Sequence, residues 1–168
     1  MRSRTSSWFE TKIRYEKMME DGSQKMTTEQ YVVDALSFTE AENAIIEEMS
    51  AYITGDFKVR DIKMAGYGEI FFSDADNDDK WYKIKLQFIT IDEKTEKEKR
   101  STVTYLVQAG NLPLAVKHIE EVMGGTMIDY VISAIQETQI MDVFEHKSTV
   151  SGKEKNDTPE YEEAEAKA

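Results

Sequence analysis

Trp8-Phe9-Glu10-Thr11-Lys12-Ile13-Arg14-Tyr15 and Trp81-Tyr82-Lys83-Ile84-Lys85-Leu86-Gln87-Phe88 carry one pattern 73 residues apart. A Trp, an aromatic, a Lys, an aliphatic and a second aromatic coincide. The match runs on with one inserted residue: Tyr31-Val32-Val33-Asp34-Ala35 pairs with Tyr105-Leu106-Val107-Gln108-Ala109, and Ala41, Ile45 and Met49 pair with Ala115, Ile119 and Met123. It then returns to the first offset, pairing Ile62 with Ile135 and Glu69-Ile70-Phe71 with Asp142-Val143-Phe144. Both register shifts fall where a turn is expected, as duplication followed by loop drift would leave them.

Each copy reads the same way. Phe9, Thr11, Ile13 and Tyr15 alternate with Trp8, Glu10, Lys12 and Arg14, the period of a strand with one buried face. Glu20-Asp21-Gly22-Ser23 is a hairpin turn, and a second strand over 28–35 turns Tyr31, Val33 and Ala35 inward. Ser37-Phe38-Thr39-Glu40 reads as a capping box, with the Ser hydroxyl on the Glu40 NH and the Glu reaching back to the Ser NH. The helix that follows places Ala41, Ile45, Met49 and Tyr52 on one face, and Gly55 suits its stop. In the second copy Asn111 takes the cap, Pro113 fits the first turn, and Gly124-Gly125 ends the helix. Residues 56–72 and 129–144 are extended and long enough for two strands each, turned at Gly66 and Gly68 and at Glu137-Thr138-Gln139.

The expected architecture is therefore α+β: two tandem β-β-α-β(β) repeats forming an intramolecular pseudo-dimer with mainly antiparallel sheets. Residues 1–7 form a short basic arm, 8–72 repeat one, 73–80 an acidic linker, 81–146 repeat two and 147–168 an acidic tail read as disordered. With 168 residues in total, each repeat is near the lower size at which a core stands alone, so packing of one on the other is expected.

Composition removes several functions. There is no Cys, hence no disulfide framework, thiolate metal site or thiol nucleophile, in keeping with a reducing compartment. No apolar run reaches the length of a membrane span and no signal segment is seen, so a cytoplasmic protein without membrane association is expected. His118 and His146 read as solvated surface residues. Asp74, Asp76 and Asp78 open like a calcium loop, but Asp79 stands where Gly is needed and Lys85 where a bidentate Glu is needed. With no phosphate-cradling Gly loop, Gly-flanked Ser or His-Glu-x-x-His, the expectation is no enzyme, no cofactor and no metal.

What remains is the outward side of the repeated first strand. Trp8, Lys12 and Arg14 recur as Trp81, Lys83 and Lys85, an arrangement that stacks bases and holds adjacent phosphates. The competing reading is that each Trp packs at the sheet edge or against the other repeat. Formal charge is −12, and residues 147–168 hold four Lys against six acids, leaving about −10 on the rest; any phosphate-binding face must be a local stripe on an acidic body. Two functions follow: a non-enzymatic single-stranded nucleic-acid binding accessory protein, or a protein-interaction module or inhibitor docking through its acidic surface or a sheet edge.

Trp8-Phe9-Glu10-Thr11-Lys12, the run Val33-Asp34-Ala35-Leu36-Ser37-Phe38-Thr39-Glu40-Ala41-Glu42, and Gln139-Ile140-Met141-Asp142-Val143 resemble an uncharacterised domain family of Bacteroidetes and their phages. The likeness spans about residues 8–145 and implies a bacterial or phage intracellular setting, with no chemistry to carry over. The order β-β-β-β-α over residues 56–123 is similar to the repeat of Whirly and Pur-type single-strand binders with the outer pieces permuted, a likeness of topology alone.

Overall fold

Residues 1–146 are described in the computed structural model; the expected disordered tail lies outside the described residues. In chain order the elements are β1 (Arg2–Arg4), β2 (Trp8–Met18), β3 (Gln24–Asp34), α1 (Phe38–Ser50), β4 (Phe57–Ala65), β5 (Glu69–Phe72), β6 (Lys80–Ile91), β7 (Glu98–Ala109), α2 (Leu112–Met123), β8 (Asp129–Glu137) and β9 (Ile140–Phe144). The fold is α+β, with two helices and two mostly antiparallel sheets.

Local signals in the sequence set most of the boundaries. Met19 and Ser23 close the β2–β3 turn through a 2.7 Å N–H···O bond, and Gly22 sits at φ 84°, where only Gly is at ease. The Ser37 hydroxyl accepts from Glu40 N at 3.1 Å and Asn111 Oδ1 accepts from Leu114 N at 2.9 Å, so both helices are capped as expected. The return bond differs, since Glu40 Oε2 accepts from Leu36 N at 3.1 Å and not from Ser37. Helix α1 also stops sooner than expected. It caps at Ala51 in a right-handed conformation, which leaves Tyr52 71% exposed beyond the helix rather than in its buried face.

The sheets pair in the orders β1-β5-β7-β6-β8 and β4-β2-β3-β9. Each is built on three antiparallel strands from one half of the chain and completed by the last strand of the other half, β5 lying parallel to β7 and β9 parallel to β3. Registers correspond across the two offsets: Trp8 faces Asp34 as Trp81 faces Gln108. The β2–β4 bulge after Lys12 matches the β6–β8 bulge after Lys85.

Three cores result. Phe9, Ile13, Val33, Ala41, Ile45 and Met49 join the first sheet to α1; Tyr82, Ile84, Leu86, Ala115, Ile119 and Met123 join the second to α2. The third lies on the sheet faces turned from the helices and contains Trp8, Val32, Tyr67, Ile70, Phe72, Trp81 and Leu106. With both faces of each sheet contributing to apolar clusters, the sheets meet back to back between the helices.

Two segments read from the sequence as a basic arm and an acidic linker are tied down. The basic arm forms β1, added to β5, with Arg2 over the Phe72 ring at 4.2 Å and Arg4 bridging Asp34 at 2.7 Å and Glu145 at 3.0 Å. In the acidic linker Asp78 is buried, because its carboxylate accepts from Gly110 N at 2.8 Å and from the Ser73 hydroxyl. A Cβ at Gly110 would meet Asn77 O at 2.7 Å, so the linker backbone lies directly on this glycine. His118 is half-buried rather than solvated, with Nδ1 3.1 Å from Gln108 O and Nε2 3.8 Å from Asp78. His146 is exposed, as expected.

Candidate functional site

Trp8 and Trp81 are 1% and 2% exposed. The alternation that turns them from the helices holds, but the face they occupy is covered by the other sheet. Phe72 meets the Trp81 ring edge-on, with centroids 5.5 Å apart. Neither indole offers a face on which a base could stack, so the stacking platforms are corrected to packing residues. Trp8 Nε1 is buried without a hydrogen-bond partner among the described residues.

The cations behave otherwise. Lys12, Arg14 and Lys85 are exposed and Lys83 is half-buried, because the back-to-back contact involves only the Trp ends of β2 and β6. Where the faces part they enclose a cleft of about 300 Å³, lined by Glu10, Gln30, Tyr67, Lys83, Gln136 and Gln139 among others. Lys83 Nζ stands 5.6 Å from the Tyr67 ring centroid, and the Tyr67 hydroxyl donates to Glu10 Oε1 at 2.5 Å. Burial first, then the neighbouring Glu10 carboxylate, pushes the Tyr67 hydroxyl pKa up, so this tyrosine is a fixed donor.

Arg14 belongs to a second cluster. In β4 Lys58 lies opposite Arg14, and the bulge supplies Arg60 as an extra residue. All three line a cleft of about 330 Å³ together with Tyr15, Met26 and Phe57 and the two acids Glu16 and Asp56. The predicted six residues thus divide: Trp8 and Trp81 are core, Lys83 lines the inter-sheet cleft, Arg14 lines the β2–β4 cleft, and Lys12 and Lys85 stand on the outward faces. Lys58 and Arg60 escape a reading of the sequence, because only the β2–β4 register brings them beside Arg14.

A third polar feature faces α1. Glu29 is buried and accepts from the Tyr15 hydroxyl at 2.5 Å and the Tyr31 hydroxyl at 3.4 Å, with Lys17 Nζ at 3.6 Å. Burial, then the Glu29 bond and charge, pushes the Tyr15 hydroxyl up to about 12.

Among the described residues no group of His, Cys, Asp and Glu is placed to hold a metal ion, and no helix is long and apolar enough to cross a membrane. Fold and surface together define an α+β protein of two helix-backed sheets joined at a shared aromatic core, with a polar cleft between the sheets that carries Lys83, Glu10 and Glu137 and a second cleft at β2 and β4 that carries three cations. The chain belongs to the family described as Domain of unknown function (DUF4494), whose model matches residues 7–146. No curated protein and no solved structure matches it.

Proposed function

We propose that this protein is a non-enzymatic binder of single-stranded nucleic acid, held by phosphate contacts to the sheet-face cations and not by stacking on tryptophan. The observation that carries this reading is the convergence of Arg14, Lys58 and Arg60 in one cleft beside Tyr15, Met26 and Phe57. Cations interleaved with aromatic and thioether surface track a flexible phosphate backbone. At the aligned positions the second half carries Gln87, Val131 and Ser133, so the fold forms without the three charges. A bacterial or phage cytoplasmic setting is part of the same proposal.

We also infer that the two halves are a duplicated unit forming an intramolecular pseudo-dimer. Corresponding strand registers, equivalent bulges and the reciprocal exchange of β5 and β9 support this. A second reading, docking of a basic protein partner, is favoured by the charge of α1, which carries Glu40, Glu42, Glu47 and Glu48 and no Lys or Arg.

Titration of a labelled single-stranded oligonucleotide at several salt concentrations separates the two. On the proposed function, log K falls linearly with log salt, by about 0.7 per phosphate neutralised. The variant Arg14→Gln/Lys58→Val/Arg60→Ser, which copies the second half, should stay folded and flatten that slope. Absence of binding at low salt by folded wild-type protein would leave the protein-docking reading.

A further inference from the structure

We infer that the inter-sheet cleft reads a single nucleobase carrying an exocyclic amino group, so that the protein discriminates among single strands. This rests on the nucleic-acid reading above. The cleft of about 300 Å³ lies where the two sheet faces part, and the residues lining it come from both halves. Its polar equipment exceeds what the fold consumes. The side-chain amides of Gln30, Gln136 and Gln139 have no hydrogen-bond partner among the described residues, and Lys83 is in no ion pair among them. Carboxamides match the paired donor and acceptor groups along a base edge.

Placement divides the work. Gln30 lies opposite Lys12 in the β2–β3 register and Gln136 opposite Lys83 in the β6–β8 register, so each amide stands beside a cation available for the flanking phosphate. Glu10 is the discriminating group. Its carboxylate takes one bond from Tyr67 and retains acceptor capacity toward the cleft. It therefore favours a base presenting an amino group, such as adenine or cytosine, over thymine, which presents two carbonyl oxygens and one ring N–H. The ammonium of Lys83 above the Tyr67 ring faces the phosphate on the same nucleotide.

The experiment compares labelled oligo-dA, oligo-dC and oligo-dT of equal length against the full chain at one fixed salt concentration. Wild-type protein should bind oligo-dA or oligo-dC about tenfold more tightly than oligo-dT. Gln136→Leu and Glu10→Gln should each reduce that ratio toward one while retaining binding, with thermal melts confirming that both variants fold. Gln136 is the cleaner site because it is exposed and takes no part in the core. Equal binding of the three oligonucleotides by wild type, or a ratio that survives both variants, overturns base reading and leaves the sheet-face proposal standing. Failure to bind any of them overturns both.

Discussion

The first and second halves reach the same strand order, helix caps and bulge positions with different side chains at three places, and those differences separate what the fold requires from what has been added to it. Facing α1, the first half buries Glu29 between Tyr15 and Tyr31 with Lys17 beside it. The aligned residues of the second half are Val103, Phe88, Tyr105 and Thr90, and Phe88 and Val103 pack against the α2 core. On the outward face, Arg14, Lys58 and Arg60 stand where Gln87, Val131 and Ser133 stand. In the inter-sheet cleft the aligned pair is Glu10 and Lys83. A buried carboxylate and a cluster of three cations both work against a compact fold unless compensated. Since the second half forms without either, these residues are the places to seek function, whereas the tryptophans, alike in both halves, are architecture.

The largest effect should come from those shared tryptophans. Trp8→Ala and Trp81→Ala should each lower stability by about 3–5 kcal/mol in urea unfolding, because each empties the core between the sheets. A loss below 1 kcal/mol in either would mean that the sheets are not held together there. Next comes the polar cluster of the first half. Tyr15→Phe alone should cost about 1–3 kcal/mol by depriving Glu29 of a donor. Adding Glu29→Val restores the composition of the second half and should recover the loss or exceed it by about 1 kcal/mol, as replacing buried ionic groups by packed apolar ones does. A double variant less stable than Tyr15→Phe would show that the first half needs Glu29 to fold. Smallest are the caps: Ser37→Ala and Asn111→Ala should each cost about 1 kcal/mol, and an unchanged urea midpoint in one of them would show that the two helix starts are not equivalent.

Much of the local architecture is legible in the sequence. Alternation along β2 and β6 separates the two faces correctly, and Ser37 and Asn111 place both helix starts. What covers the outward face is another matter. Trp8 and Trp81 lie on the side away from the helices, as alternation says, but burial depends on the other sheet reaching them, and that contact is non-local. The exchange of β5 and β9 escapes for the same reason. A four- or five-residue apolar strand carries no signal for which sheet it joins, and both pair in parallel with a strand distant in sequence. Sequence reading also gives too much freedom to charged segments. The arm before Trp8 becomes a strand because Arg4 finds Asp34 and Glu145, and the linker orders because Asp78 caps the Gly110 amide. Lys58 and Arg60 join Arg14 only through a bulged register that no spacing rule reports.

The inter-sheet cleft depends on the halves forming one unit, since its lining comes from both and the tryptophan core beside it is common to both. Native-state amide hydrogen exchange at Val33 in β3 and Val107 in β7, the strands onto which β9 and β5 are added, tests this most directly. Both amides should exchange only through global unfolding, giving the same opening free energy and the same dependence on added denaturant. An opening free energy at one of them lower than at the other by more than about 1.4 kcal/mol, a tenfold difference in the open population, would show that the halves unfold separately and would contradict the shared-core architecture.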